Sequence, residues 1–326
     1  MKLLITGGAG FIGSLLGRTL LRIGRLDGRE LQRVVLADQA QPPPDLLGDP
    51  RVEARVGPLL EQCGALAAEG FDAVFHLASA VSAECEADFD LGMRSNLETT
   101  RALLLSLRAA GNVPRLVFAS SGAVFGGDPP SLPLPQVVRD DTLPAPQTSY
   151  GIQKFVSEQL IADFTRKGFL DGRAVRLLTV TVRPGRPNGA ASGFLSGIIR
   201  EPLSGVEAVC PVSLDTEAAL ASPRRTIEAL IAAYEASRDA FGGRTALNLP
   251  ALSVRVGDML DALEQVAGPA TRALVRLQPD PKIERIVSTW PARFDSQRAA
   301  RLGLTPDGSF RAIIEQYVAD SAQASG

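Results

Sequence analysis

Lys2 to Gly13 (KLLITGGAGFIG) restricts the fold of this chain more than any other stretch. Leu3, Leu4, Ile5 and Thr6 are long enough for a short buried strand, and Gly7, Gly8 and Gly10 follow where a backbone must turn sharply. Phe11 and Ile12 then open an apolar periodicity through Leu15, Leu16, Thr19, Leu20 and Ile23, the pattern of an amphipathic helix. A strand that passes through a glycine turn into a helix gathers unpaired amides and the positive end of the helix dipole at one point. A pyrophosphate is favoured there. Gly7, Gly10, Phe11, Ile12 and Gly13 are therefore the expected cradle of a dinucleotide, the alternative being an ordinary glycine-rich turn. The spacing Gly7-x-x-Gly10-x-x-Gly13 is one residue longer in its first gap than the commonest fingerprint.

Further along, Val34-Val35-Leu36-Ala37-Asp38 is a continuous apolar run ending in an acid, as buried parallel strands read. Asp38 lies 25 residues beyond Gly13, where a carboxylate accepts hydrogen bonds from an adenosine ribose and repels a 2′-phosphate. NAD is the expected cofactor, not NADP; the alternative is a solvated acid at a strand end. A strand near Val52–Val56 and a helix over Leu59–Ala68 lead to Asp72–Ala78, a fourth buried strand whose end, Leu77 and Ala78, should lie beside the cofactor. His76 within that run is expected to be a satisfied core residue. A long helix follows from about Phe89 to Ala110, then a fifth strand over Arg115–Ala119 ending in Ser120-Ser121. Between Gly126 and Thr148 six prolines mark a long loop. A helix opening at Ser149 and a sixth strand over Ala174–Val182 complete an alternating pattern.

That alternation predicts an α/β chain: a Rossmann-type doubly wound parallel sheet over residues 1–182, with strands and helices near 220–250 returning to it. Residues 183–326 are expected to form mostly a smaller C-terminal α/β substrate lobe. The length of 326 residues suits one large domain and a smaller one. With 34 basic and 36 acidic residues the chain has no electrostatic case for nucleic acid or an anionic membrane surface. No uncharged apolar run reaches the ~18 residues of a membrane span. One histidine and three cysteines without CxxC spacing argue against a metal site, and buried reduced thiols suit a cytoplasmic protein. A first strand starting at residue 2 leads us to expect no cleaved leader.

The chemistry centres on Tyr150 and Lys154, four apart on one helix face. A phenol titrates near 10 in water, too high for a base at neutral pH, and a neighbouring ammonium favours the phenolate. Lys154 is also placed to hold the nicotinamide ribose, and the Ser121 hydroxyl to fix a substrate oxygen beside Tyr150. In another setting Y-x-x-x-K would carry little weight; here it opens the helix after the fifth strand of a nucleotide-binding sheet.

TGGAGFIG, HLAS (His76 to Ser79), SSGAVFG and YGIQK together resemble the extended short-chain dehydrogenases/reductases, the superfamily of nucleotide-sugar epimerases and dehydratases. The motifs follow its TGxxGxxG, HLAA, SSxxVYG and YxxxK. The resemblance implies Tyr150 as catalytic base, Lys154 as its partner, Ser121 as the substrate-orienting hydroxyl and Asn96 as a helper in the proton relay. It also implies a homodimer through the helices near 89–110 and 150–167. Phe125 departs from the usual Tyr, and Gly57-Pro58-Leu59 from a G-D-[IL] element whose Asp commonly meets the adenine.

In place of R-x-x-N-x-Y-G-P and V-D-D-V-A, the second lobe carries RPGRPNGAASGFLSGIIREPL, ASPRRTIEAL and STWPARFDSQRAARLGL. These are similar to the D-erythronate dehydrogenases, which oxidise C2 of a four-carbon sugar acid. The implied activity is NAD-dependent oxidation of a small 2-hydroxy sugar acid. Rival readings are a nucleotide-sugar epimerase or dehydratase, and a non-catalytic NAD-binding scaffold. A sugar acid needs a carboxylate clamp, and arginine supplies bidentate bonds. Among Arg183, Arg186, Arg200 and Arg224 we choose Arg186, with Asn188 and Ser82 as hydroxyl partners; the alternative for each arginine is a solvated or packing role.

Overall fold

The computed structural model of the protein describes residues 1–185 and 192–325. Seven strands form one all-parallel sheet: β1 (Lys2–Thr6), β2 (Arg33–Asp38), β3 (Val52–Val56), β4 (Ala73–His76), β5 (Arg115–Ser121), β6 (Asp171–Leu177) and β7 (Leu247–Asn248). Their spatial order is β7-β6-β5-β4-β1-β2-β3. The chain moves outward from β1 through β2 to β3, then returns to β1's other side with β4. The order therefore reverses between β1 and β4, and the crevice of a doubly wound sheet lies at the carboxyl ends of those strands.

Helices α1 (Phe11–Ile23), α2 (Leu59–Ala68), α3 (Thr99–Ala110) and α4 (Ser149–Arg166) connect the strands. Leu4, Val35, Val74, Leu116 and Phe118 of the strands meet Leu66, Leu103, Leu107 and Ile161 of α2, α3 and α4, with Phe71, in one buried cluster. Each such side chain contributes about 1.5–3 kcal/mol on leaving water. The sheet runs apolar without alternation because helices cover its faces.

The described residues group into two compact units. The first contains this sheet and comprises Met1–Val124, Thr148–Leu177 and Ile227–Asn248. In the second, Thr179–Val180, Glu217–Ala221 and Leu252–Arg255 form a three-stranded sheet, and Ala208–Cys210 pairs with Val275–Leu277. Helices Gly193–Leu203, Val256–Ala267 and Phe310–Ser325 bury Leu195, Ile198, Ile199, Met259, Leu263, Ile313 and Ile314 with Leu220 of that sheet. Among the described residues, no helix is long and apolar enough to cross a membrane.

Two elements depart from the sequence pattern. The expected sixth strand over Ala174–Val182 divides: β6 ends at Leu177, and Thr179–Val180 pairs with Glu217–Ala221 instead. The alternation near its end belongs to that separate strand. The expected helix from Phe89 to Ala110 is α-helical over Phe89–Gly92, winds as a π turn over Met93–Glu98, and resumes as α3. A π turn inserts a residue and rotates the side chains after it, and such turns recur at functional sites. Asn96 lies within it and is buried.

Candidate active site

Three glycines divide the work of the first turn. Gly7 has φ +73°, and a Cβ there would come within 2.8 Å of the Ala78 amide nitrogen. A Cβ at Gly13 would overlap the Gly7 carbonyl oxygen. Those two glycines let α1 close onto β1 and β4. Gly10 is different: it is exposed, and a Cβ would meet only the Gly7 oxygen at 3.2 Å. The first helical bond of α1 runs from Ser14 N to Gly10 O at 2.8 Å, and no side chain caps the helix. The amides of Phe11, Ile12 and Gly13 precede that bond, beside an open Gly10 face with no acidic residue in the first turn. This cradle fits a dinucleotide pyrophosphate.

Asp38 ends β2 and accepts from Ala9 N at 3.0 Å and Ala40 N at 3.2 Å. Those bonds orient the carboxylate against the glycine turn and leave acceptor capacity for sugar hydroxyls. Across the crevice, Thr6 Oγ1 accepts from Leu77 N (3.2 Å) and Ala78 N (3.3 Å), which fixes the end of β4 against β1. His76 is buried between Thr6 Oγ1 (2.7 Å) and Thr100 Oγ1 (2.9 Å). Burial, aided by the Lys154 charge, pushes it down to about 3, so it is a neutral core residue.

Tyr150 stands in the first turn of α4, whose start is capped by Thr148 Oγ1 accepting from Gly151 N at 3.0 Å. Ser121, at the end of β5, and Ser79, just past β4, favour the ionised form of the phenol. Burial nevertheless dominates and pushes Tyr150 up to about 12, whereas the sequence led us to expect a phenol lowered by Lys154. The reason is where the ammonium goes. Lys154 is buried and donates to Ala119 O at 2.9 Å, over the Phe118 ring, with its Nζ 5.5 Å from the Tyr150 ring centre. Desolvation pushes it down to about 7, against the raising effects of Cys85 and Glu158. One turn further along α4, Glu158 accepts from Ser120 Oγ at 2.5 Å and is held by Arg176 through two nitrogens at 2.9 and 2.7 Å.

Asn96 is fully engaged through its side chain. Its Oδ1 accepts from Ser79 Oγ (2.9 Å) and Ala80 N (2.8 Å), and its Nδ2 donates to Gln153 Oε1 (2.8 Å) and Ala80 O (3.3 Å). Gln153 Nε2 has no partner among the described residues, and a Cβ on Gly92 would come within 2.7 Å of it. The first unit thus brings Ser121, Tyr150, Lys154 and the Asn96 network together. Ser82 opens the short helix Ser82–Ala87. Arg186 and Asn188 lie outside the described residues. Sequence reasoning passed over Ser79 and Gln153. The available signals were the Ser of HLAS where HLAA is usual, and the Gln inside YGIQK. In the second unit Phe125 packs edge-on against Phe294. Cys63, Cys85 and Cys210 are free and buried, and no group of three or more metal-binding side chains occurs among the described residues.

Residues 3–238 match the sequence pattern of the NAD dependent epimerase/dehydratase family. The chain belongs to the NAD-dependent epimerase/dehydratase family. Within it, a D-erythronate dehydrogenase of Cupriavidus necator is 48% identical over 99% of this chain and 100% of its own length. A D-erythronate dehydrogenase of Haemophilus influenzae is 40% identical over 98% of this chain and 99% of its own. The crystal structure of a protein described as the nucleoside-diphosphate-sugar epimerase from Agrobacterium tumefaciens superposes with a TM-score of 0.93 at 40% identity, covering 99% of this chain and 95% of that one. As in the rest of this epimerase/dehydratase family, the cofactor is NAD.

Proposed function

We propose that this protein oxidises D-erythronate at C2 to 2-dehydro-D-erythronate with NAD. Identity of 48% and 40% to two D-erythronate dehydrogenases over nearly the whole chain carries the reading. Gly7, Gly10, Phe11, Ile12 and Gly13 hold the pyrophosphate, Asp38 the adenosine ribose, Lys154 the nicotinamide ribose, and Leu77 and Ala78 line the site. When bound, NAD supplies the acceptor for the hydride that leaves C2 and a positively charged ring that favours a nearby phenolate. Tyr150 takes the proton of the C2 hydroxyl. Ser121, at the end of the strand that precedes the helix of Tyr150, donates to the same substrate oxygen. Asn96 acts in the relay by holding the chain at Ser79 and Ala80.

NAD binding is assigned to the unit of Met1–Val124, Thr148–Leu177 and Ile227–Asn248, narrower than the expected residues 1–182, while residues 183–326 supply mostly substrate contacts, Arg186 for the carboxylate and Asn188 for a hydroxyl, with Ser82 of the first unit for another. Replacement of Arg186 by Met should raise the KM for the acid and leave NAD affinity unchanged. The protein works as a homodimer through the helices near 89–110 and 150–167, a reading supported by Phe89 at 61% and Ile152 at 49% exposure. Sedimentation of the wild type beside Ile152→Glu tests it. A cytoplasmic setting agrees with three free, buried thiols.

The test of function is NADH formation across a panel of four- to six-carbon aldonates. D-Erythronate should be turned over with the highest kcat/KM; no turnover of any acid overturns the proposal. A second reading, nucleotide-sugar epimerisation, is favoured by the description of the Agrobacterium tumefaciens relative. It requires interconversion of a UDP- or dTDP-sugar without net NADH, which the same assay separates.

A further inference from the structure

Thr6 Oγ1 accepts from the amides of Leu77 (3.2 Å) and Ala78 (3.3 Å), which occupy its two lone pairs. Its own proton then goes to its other neighbour, His76 Nδ1, at 2.7 Å. A ring nitrogen that accepts a hydroxyl proton is bare. Across the ring, Thr100 Oγ1 lies 2.5 Å from Asn96 O, and since a carbonyl only accepts, the hydroxyl donates its one proton there. Thr100 therefore offers His76 Nε2, at 2.9 Å, a lone pair, and Nε2 carries the hydrogen. Donor counting at two separate hydroxyls gives one answer. The buried imidazole is neutral with its proton on Nε2.

The resulting chain has a direction: Ala78 N–H to Thr6, Thr6 O–H to His76, His76 Nε2–H to Thr100, and Thr100 O–H to Asn96. It also closes on itself. Asn96 Oδ1 accepts from Ala80 N at 2.8 Å, two residues beyond the amide where the chain began. Residues 77–80 are thus held by Thr6 of β1 on one side and by Asn96 of the π turn on the other, with one imidazole joining the two. The held segment lies against the glycine turn, where a Cβ on Gly7 would come within 2.8 Å of Ala78 N and 2.9 Å of the Leu77 carbonyl carbon. Reversing the tautomer would aim Nδ1–H at a hydroxyl whose lone pairs are taken. It would also leave Nε2 facing a Thr100 proton already given to Asn96. Both ends of the chain would break together.

We infer that His76 is a positioning residue for NAD, locked as the Nε2–H tautomer, which sets the backbone of residues 77–80 against the glycine turn through Thr6 and Thr100. The inference rests on the NAD site described above and not on the identity of the sugar acid, so its test uses NAD alone.

His76 is the one histidine of the chain, so nitrogen-15 labelling gives a single imidazole to read. A long-range proton–nitrogen correlation spectrum of the wild type at pH 7 should place the hydrogen on Nε2 alone, and the ring resonances should move when NAD is added. A hydrogen on Nδ1, a mixture of tautomers, or a ring that NAD leaves unmoved overturns the inference. Thr100→Val keeps the side-chain volume and removes the lone pair that Nε2–H uses. Its NAD affinity by calorimetry should fall about tenfold, the effect of one buried donor left unpaired. Thr100→Ser restores the hydroxyl and should bind NAD as the wild type does. Thermal melts beside each titration separate folding from positioning. A purely structural hydroxyl would lower the melting temperature of Thr100→Val and leave the dissociation constant of the folded protein unchanged, and that result overturns the inference. Should Thr100→Val not fold, the wild-type tautomer and its response to NAD still decide. Failure of every aldonate to give NADH would overturn the proposed reaction and leave these NAD measurements standing.

Discussion

Lys154 Nζ donates to the carbonyl oxygen of Ala119, two residues ahead of Ser121 on β5, at 2.9 Å. The bond ties the helix that carries the phenol to the strand that carries the serine. It also takes the ammonium into a buried position over Phe118, where desolvation works against its charge. Lys154 is lowered to about 7, so across the window from about 7 to 10.5 the unfolded chain binds more protons at this group than the folded one. Stability therefore rises with pH through that window. The urea midpoint of the wild type should climb from pH 7 to pH 10 more steeply than that of Lys154→Met, and parallel curves would remove the lysine as the cause.

Tyr150→Phe removes the proton acceptor and little else, since the ring remains in its place on α4. We expect kcat to fall by about 10²–10⁴-fold, the range of a general base, with NAD affinity retained. Stopped-flow turnover and an equilibrium titration with NAD check the two halves separately.

The glycines of the first turn should separate folding from binding. Gly13→Ala meets the Gly7 carbonyl and should cost about 1–3 kcal/mol in stability as well as NAD affinity. Gly10→Ala has only a 3.2 Å neighbour, so it should fold within about 0.5 kcal/mol of wild type and still bind NAD poorly. Thermal melts with and without NAD read both effects.

Asp38 should govern the choice of coenzyme. Asp38→Ser together with Gln39→Arg removes the repulsion toward a 2′-phosphate and adds a bidentate partner for it. The ratio of kcat/KM for NADP over NAD should rise at least about tenfold. Wild-type preference for NADP would contradict the role given to Asp38.

His76 should appear in acid unfolding. Its folded value is lowered from 6.5 to about 3, so below about 6.5 the unfolded chain takes up a proton that the folded one refuses, and stability falls as pH falls. At pH 5 the loss is about 2 kcal/mol. Urea titrations of wild type and His76→Asn at pH 7 and pH 5 should show the smaller pH dependence in the variant.

How much of this was legible beforehand follows from how local each feature is. Helix Leu59–Ala68 and strand Val52–Val56 lie where their periodicity puts them, because side-chain spacing along one segment decides which face is apolar. The division after Leu177 was hidden, since Thr179–Val180 is a strand only through its partner Glu217–Ala221, about forty residues later. The π turn at Asn96 was hidden for the same reason: its inward amide is held by Gln153, 57 positions away.

By itself the sequence determined a Rossmann-type sheet opening on a glycine turn, an acid at the end of its second strand, and Tyr150 and Lys154 on one helical face. These follow from fixed repeats of 2 and 3.6 residues and from the backbone freedom of glycine. Only the tertiary structure decided that Lys154 turns to Ala119, that burial pushes the Tyr150 phenol above its ordinary value, and that Ser79 binds Asn96. Desolvation and contacts between distant segments come into being when the segments pack, and no spacing along one of them encodes which partner a buried polar atom will find.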